Sequence, residues 1–163
     1  MAKDEILEQI REGRGALLTA IEGLSDDAML RTHVVGFWSV KDVLAHLTAW
    51  ESELITALSR VDQPDVEPTI VQIDDLDEWN DEQYRNTVRR PLADVLRDFN
   101  GVHKYLLQAV ADLDEATLED NSRFEWMEGE PLSYLISENA VWHEQEHAEQ
   151  IREWRAANDL PLP

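Results

Sequence analysis

Four long stretches of this chain repeat their apolar residues at spacings of three, four and seven, which is typical of amphipathic helices. They run from Lys3 to Gly23, from Ser39 to about Arg60, from Pro91 to about Leu113 and from Pro131 to about Ala157. Long amphipathic helices bury their apolar faces against one another. No repeat or linker divides the chain, so we expect an all-α four-helix bundle that forms a single domain over residues 1–163.

The segments between these helices predict smaller elements. Ser39 followed by Asp42 has the spacing of a capping box, which favours a helix start at this point. Residues 61–71 contain prolines and show no clear period, so we expect a loop there. Residues 74–89 predict an extra, shorter polar helix between the second and third long helices, and residues 124–130 predict a small β-hairpin.

Charge and composition argue against several classes of function. The chain has 14 basic and 35 acidic residues, a formal net charge of −21, whereas binding to nucleic acid or anionic lipid depends on Lys and Arg. The lack of cysteine excludes disulfides and thiolate metal sites. The sequence has no signal-peptide core and no apolar run near the ~20 residues that span a bilayer. We therefore expect a cytoplasmic protein that binds neither nucleic acid nor membrane.

Two histidines near the end of the chain point to metal chemistry. His143 and His147 lie four residues apart on a predicted helix, where two imidazoles on one face can share an ion. Because Glu144 follows His143, the stretch also matches the HExxH pattern of zinc proteases. A protease needs a third ligand downstream and an edge strand for its peptide, and no histidine follows His147. This disfavours a protease and leaves two ordinary polar helix residues as an open alternative.

A third histidine favours the metal interpretation of this pair. His46 lies beside the apolar stripe of the second helix, which can face the fourth helix in a bundle. His46, His143 and His147 would form an open three-imidazole site that leaves positions for water or substrate. Polar side chains often orient such ligands through hydrogen bonds to the ring nitrogen that does not bind the metal. The candidates for this role near them in sequence are Glu51, Glu138, Asn139 and Glu146.

Aromatic residues beside the histidines are candidate walls of a pocket. Trp50 follows His46 by four positions, and Trp142 directly precedes His143. Both indoles can cover a metal, and Tyr134 can supply a hydroxyl there, although packing in the core is the ordinary role of such residues. The predicted cofactor- or ligand-contacting residues are Trp50, Trp142, Tyr134 and Asn139, and the predicted proton carriers are Glu144 and Glu146.

Several stretches resemble a known family. GFWSVKDVLAHLTAWE, residues 36–51, resembles the second-helix signature of the DinB/YfiT-like superfamily, and ENAVWHEQEHAEQIREWR, residues 138–155, resembles its fourth-helix signature. WNDEQYRN, PLADVLRDFNGVHKYLLQAV and PLSYLISEN resemble the ClbS/DfsB-like branch. The resemblance covers nearly the whole chain. It implies an up-down-down-up helix order and a metal triad at His46, His143 and His147.

The resemblance also suggests a class of reaction. The superfamily includes enzymes that depend on thiols such as bacillithiol or mycothiol, and the ClbS member resembles a resistance protein that opens the cyclopropane of a genotoxin. We expect a metal-dependent hydrolase or thiol transferase that acts on a small molecule, possesses a detoxification role, holds Zn or Ni at the histidines and uses a low-molecular-weight thiol. The alternatives are a bundle that only sequesters a small molecule and an interaction protein that forms a homodimer.

Overall fold

The computed structural model describes residues 2–163, and every regular element in that range is helical. A π-helical turn over Glu138–Trp142, called the π turn below, joins the last two of the nine α-helices in this range. The all-α fold class is confirmed, and no helix in this range is long and apolar enough to cross a membrane. The α-helices are α1 (Lys3–Ile21), α2 (Asp26–Met29), α3 (Val40–Leu58), α4 (Thr69–Gln72), α5 (Leu76–Thr87), α6 (Leu92–Ala111), α7 (Glu115–Glu119), α8 (Leu132–Ser137) and α9 (His143–Ala157).

The four long helices predicted from the apolar period are present, with ends that differ by a few residues. The first three are α1, α3 and α6, and the fourth comprises α8, the π turn and α9. The capping box also forms, because the Ser39 backbone N–H donates to Asp42 Oδ2 at 2.9 Å and the Asp42 N–H donates to Ser39 Oγ at 3.2 Å. These bonds satisfy backbone groups that the helix itself cannot, so they fix the start of the helix that carries His46.

Two apolar clusters form the core of the bundle, in which α3 packs along α6 and α1 packs along α9. Full burial of each large aliphatic or aromatic side chain contributes roughly 1.5–3 kcal/mol. On α1, α3 and the fourth helix, some polar residues are interspersed with the apolar residues of these two clusters. Where such a polar side chain is buried, it needs a hydrogen-bonding or ionic partner. Fully buried members are Ile10, Leu54, Leu106 and Ile136 in one cluster and Leu17, Leu44, Phe99 and Ile151 in the other.

The predicted β-hairpin at residues 124–130 is wrong. The chain forms one 3-10 turn there, over Glu125–Met127. Phe124 is buried in the core, and the indole N–H of Trp126 donates to the Pro64 carbonyl at 3.1 Å. The aromatic side chains are thus held by the core and by a neighbouring loop, and no strand within residues 2–163 is available to pair with this segment.

The connection between α3 and α6 is more ordered than a loop. The segment predicted as a loop at residues 61–71 runs into the short α4, whose Ile70 is buried. The predicted polar helix is α5, and its Trp79 packs against Trp50 of α3 with ring centroids 4.4 Å apart. Residues of α4 and α5 therefore form one wall of the space beside His46.

Gly13 allows α1 to approach the π turn of the fourth helix closely. A Cβ atom on Gly13 would lie 3.4 Å from the Val141 carbonyl oxygen and 3.6 Å from that of Ala140. The Asn139 side chain donates to the Leu135 carbonyl at 3.0 Å, which gives that oxygen a partner where the helix widens. Single π turns inside α-helices are frequent at functional sites, and this one ends directly before His143.

Candidate metal centre

Three histidine rings meet between α3 and α9 and are called the histidine cluster below. The Nε2 atoms of His46 and His143 lie 2.8 Å apart, and those of His143 and His147 lie 3.1 Å apart. One ligand atom from each ring falls within 4.8 Å of the other two. His143 and His147 share a face because they are one turn apart on α9. The structure therefore brings together the three residues that the sequence predicts as metal ligands.

The histidine cluster fits a divalent cation better than a set of hydrogen bonds. Nitrogen ligands at about 2.0–2.1 Å from a tetrahedral Zn²⁺ lie roughly 3.3 Å apart, which is close to the two measured separations. Both separations end on the single Nε2 atom of His143. A neutral ring nitrogen carries either one proton or one lone pair, so at most one of the two contacts can be a hydrogen bond. A cation between the lone pairs would satisfy all three nitrogens.

Burial keeps the three imidazoles uncharged. Desolvation, and then the neighbouring His143 and His147, lower the pKa of His46 to about 2. Desolvation, and then His147, lower the pKa of His143 to about 3. Desolvation also lowers the pKa of His147, against the opposing effects of the Gln150 hydrogen bond and the Glu146 charge. Neutral rings with available lone pairs are the form that metal binding requires.

Neighbouring side chains orient two of the rings. His147 Nδ1 lies 2.8 Å from Gln150 Oε1, so the amide oxygen accepts the Nδ1 proton and leaves the Nε2 lone pair for the cluster. His46 packs against the Trp38 indole, with ring centroids 4.8 Å apart. Neither His46 Nδ1 nor Trp38 Nε1 has a protein partner in residues 2–163, and a void of about 10 Å³ lies beside both residues. A single water molecule fits such a void and would accept from both groups.

An open cavity of about 700 Å³ reaches two members of the histidine cluster, His46 and His143. Its volume is typical of sites that enclose a small organic molecule. The Trp50 indole N–H donates to Asn80 Oδ1 at 3.0 Å, which ties α5 to α3 at one wall. The other walls come from α4, α8, the π turn and the first turn of α9.

The predicted ligand-contacting residues divide into two groups. Trp50, Trp142 and Asn139 line the cavity, as does the predicted proton carrier Glu146. Tyr134 lies outside the lining, and its ring packs edge to face on Trp142 with centroids 5.5 Å apart. Tyr134 is thus placed to support the Trp142 side chain rather than to contact a ligand in this cavity.

A second group of buried polar residues, called the ion cluster below, consists of Arg14, Glu51 and Glu144. Arg14 Nε donates to Glu144 Oε1 at 2.8 Å, and its Nη2 donates to both oxygens of Glu51 at 3.1 Å. Its Nη1 donates to the Phe99 carbonyl at 2.8 Å. Glu51 and Glu144 are 0% exposed. The sequence predicts Glu144 as a proton carrier, whereas the structure places its carboxylate against Arg14 and outside the cavity lining.

One proton completes the ion cluster. Burial, and then the Glu144 carboxylate, raise the pKa of Glu51 well above its usual range, while Arg14 opposes the rise. Glu144 Oε2 is buried and receives no hydrogen bond from any N–H or hydroxyl group in residues 2–163. A protonated Glu51 would give Glu144 a further donor, and the raised pKa of Glu51 favours this form. The cluster then holds one cation and one anion, which is the low-energy composition for a buried site.

Sequence reasoning missed Arg14 and the cavity wall that α4 and α5 provide. Arg14 offered a signal, because it lies on the apolar stripe of α1 between Ile10 and Leu17, where a charged residue needs a buried partner. The wall residue Asn80 offered none, since a polar side chain on a short polar helix is expected to face solvent.

Comparisons with known proteins place this fold and these histidines in a family. The sequence model of the DinB superfamily matches residues 9–151. The crystal structure of an uncharacterised protein from Escherichia coli UTI89 is similar, with a TM-score of 0.79 and 17% sequence identity over 99% of this chain and 96% of that one. At that identity the likeness shows the fold alone. No curated protein sequence matches the chain. The match over residues 9–151 covers most of the helical bundle and all three histidines, and the chain belongs to the DinB superfamily.

Proposed function

We propose that this protein is a metal-dependent enzyme that acts on a small molecule, with a divalent ion held by His46, His143 and His147. The observation that carries the proposal is the convergence of three uncharged imidazoles, with Nε2 separations of 2.8 and 3.1 Å, beside a cavity of about 700 Å³. A structural zinc site is closed by four protein ligands, whereas a three-ligand site that faces a cavity leaves a position for a reacting molecule.

The residues around the cavity have separate roles in this proposal. A Zn²⁺ or Ni²⁺ ion would supply Lewis acidity and lower the pKa of a water or thiol that binds it. Glu146 lines the cavity beside His143 and can carry a proton to or from the substrate. Trp50 and Trp142 pack against an apolar part of the substrate, and the Asn139 amide orients a polar part.

The reaction that we propose is hydrolysis of the small molecule or transfer of a thiol to it. Both reactions need an activated nucleophile beside an electrophile, and both are compatible with one open metal position and a carboxylate near it. The resemblance of the chain to the ClbS/DfsB-like branch supports a role in detoxification or resistance.

A metal titration tests the metal part of this proposal. Purified protein stripped with a chelator should bind one Zn²⁺ or Ni²⁺ per chain in titration calorimetry, and His46→Ala should abolish this binding. Absence of binding by the unsubstituted protein would overturn the proposal.

A kinetic comparison tests the role of Glu146. With the metal bound, Glu146→Gln should lower kcat for ester hydrolysis or for thiol addition to an electrophile by about 10²–10⁴-fold while metal affinity is retained. Glu149→Gln, one turn further into α9 and outside the cavity lining, is the control. Equal kcat in both variants would remove Glu146 from the mechanism.

The alternative is a protein that binds a small molecule without turnover. It is favoured by the packing of Trp50 against Trp79, which gives an apolar surface on which a ligand can bind without a metal ion. Under this alternative, a bound ligand changes tryptophan fluorescence and His46→Ala leaves the binding intact. Loss of ligand binding in that variant would count against it.

A further inference from the structure

The lining of the large cavity is chemically divided. Its apolar side includes Trp50 and Trp142, whose indole faces are the strongest aromatic sites for a cation. Its charged side consists of Asp77 on α5, Glu138 in the π turn and Glu146 on α9. No Lys or Arg of the described residues lines the cavity. Three separate elements therefore direct negative charge into one space.

These three carboxylates are not neutralised by their surroundings. Within residues 2–163, no Lys or Arg forms a salt bridge with Asp77, Glu138 or Glu146. Glu146 accepts one hydrogen bond, from the neutral Gln150 amide at 3.3 Å. The chain as a whole carries a formal net charge of −21, so the wider surface strengthens the negative potential. Clefts lined by one sign of charge concentrate ligands of the opposite sign.

The inner end of the cavity points to a ligand independently of the carboxylates. His46 and His143 line it, and with His147 they bring three Nε2 atoms together with too few protons to bond them all. A divalent ion on the histidine cluster would add two positive charges against three carboxylates, so the cavity would still attract cations.

We infer that this cavity selects a cationic amphiphile, a small molecule in which an amine or other cationic group is joined to an apolar or aromatic body. The inference rests on the proposed function in that the cavity is the substrate's path to the histidine cluster. The cationic group lies among Asp77, Glu138 and Glu146, and the apolar body packs between Trp50 and Trp142. Molecules of net negative charge, including thiols that carry several carboxylates, are disfavoured by the same lining.

Three fluorescent probes with one apolar body and different charges test this selectivity. Dansylcadaverine carries an amine, N-propyl dansylamide is uncharged and dansylglycine carries a carboxylate. At low ionic strength, the full chain should bind the amine probe at least about tenfold more tightly than the carboxylate probe, and added salt should reduce the difference. Equal affinities for the three probes would overturn the inference.

A charge-removal variant assigns the selectivity to the cavity. Asp77→Asn with Glu138→Gln and Glu146→Gln should abolish the preference for the amine and leave the affinity for N-propyl dansylamide unchanged. The control, Asp27→Asn with Glu12→Gln and Glu22→Gln, makes the same change of charge outside the cavity and should keep the preference. A preference that survives in the first variant would overturn the inference.

The probes also separate this inference from the proposed function. Each affinity is measured on chelator-treated protein and again with Zn²⁺ bound. Charge selectivity without metal binding would refute the proposed metalloenzyme and leave the inference standing. Metal binding and turnover without charge selectivity would refute the inference alone.

Discussion

The histidine cluster and the ion cluster both include side chains of α3 and α9, but only in the ion cluster can the polar atoms satisfy one another. Arg14 donates hydrogen bonds to Glu51 and Glu144, and the raised pKa of Glu51 favours a proton between the two carboxylates, so the ion cluster can be satisfied without a ligand from solvent. The histidine cluster has three converging nitrogens and too few protons to join them. Buried polar groups are nearly always satisfied, so the incomplete cluster is the one suited to hold a metal ion.

Among the variants that test this difference, Arg14→Met should have the largest effect on stability. Methionine fills the apolar space but leaves Glu51 and Glu144 without their cation, and loss of one partner from a buried ion pair costs about 3–5 kcal/mol. We expect the free energy of unfolding in urea to fall by that amount, with or without metal. Arg11→Met is the matched control, since the ion pair of Arg11 with Glu8 is exposed and its loss should change stability by less than about 1 kcal/mol. Similar losses in both variants would contradict the role of Arg14.

The histidine cluster should add to the free energy of unfolding when a metal is bound, and it should contribute little when the protein is metal-free. Zn²⁺ at 100 times its dissociation constant should stabilise the protein by about 2.7 kcal/mol, measured as the change in the free energy of unfolding in urea. His46→Ala should remove this gain, whereas the variant and the unsubstituted protein should differ far less when both are metal-free.

His33→Asn is the control for that measurement. His33 lies outside the histidine cluster in the loop before α3 and has a φ of 69°, a backbone conformation that asparagine tolerates. It should retain the full metal-dependent gain. A metal-dependent gain that is equally large in His46→Ala would place the ion elsewhere.

A proton rather than a metal completes the ion cluster, and Glu51→Gln tests this difference. The pKa of Glu51 is raised in the folded protein, so its contribution to stability is fully present below its ordinary pKa and is lost as pH rises through the folded value. Between the ordinary and the folded pKa of Glu51, the free energy of unfolding should fall by up to about 1.4 kcal/mol per pH unit from this group alone. Glutamine stays neutral, so urea unfolding from pH 5 to pH 8 should show a smaller decline.

Glu53→Gln provides the comparison on the same helix. Glu53 lies on α3 but outside the ion cluster, so this variant should keep the pH dependence of the unsubstituted protein. Identical pH profiles for Glu51→Gln and the unsubstituted protein would mean that Glu51 is not the protonated member.

The sequence predicted the histidine cluster better than the ion cluster for a physical reason. His143 and His147 are four residues apart, and helix geometry alone puts them on one face. Glu144 lies on the other side of the same turn, and its role depends on Arg14, which is distant in sequence and belongs to another helix. The long helices follow from local periodicity, but the partner of a buried charge depends on which faces meet.

The same limit explains one wrong prediction and one feature that the sequence did not predict. The stretch from Phe124 to Glu130 contains aromatic residues and glycine, as a hairpin does, but its fate depends on the core that receives Phe124 and the loop that receives Trp126. The π turn has no sequence signal, because Glu138–Trp142 is an ordinary helical sequence. It is recognisable only from the backbone hydrogen bonding of the folded chain, where it lies against Gly13.

The smallest effect concerns how the π turn positions the histidine cluster. Gly13 and Gly15 are both inside α1, and alanine in place of an exposed helical glycine stabilises by roughly 0.5–1 kcal/mol. A Cβ atom at Gly15 meets nothing within 4 Å, so Gly15→Ala should show this gain and leave Zn²⁺ affinity unchanged. A Cβ atom at Gly13 would lie 3.4 Å from the Val141 carbonyl oxygen and 3.5 Å from its Cα.

A Cβ atom at Gly13 would make ordinary van der Waals contacts with the π turn, so Gly13→Ala should gain at least as much stability as Gly15→Ala in urea unfolding. Zn²⁺ affinity in calorimetry should be the same in both variants. A few-fold loss of Zn²⁺ affinity confined to Gly13→Ala would contradict this and would show that contact with Val141 displaces the turn that ends before His143. In that case α1 would be a shared support, which holds the ion cluster through Arg14 and the histidine cluster through the neighbouring glycine.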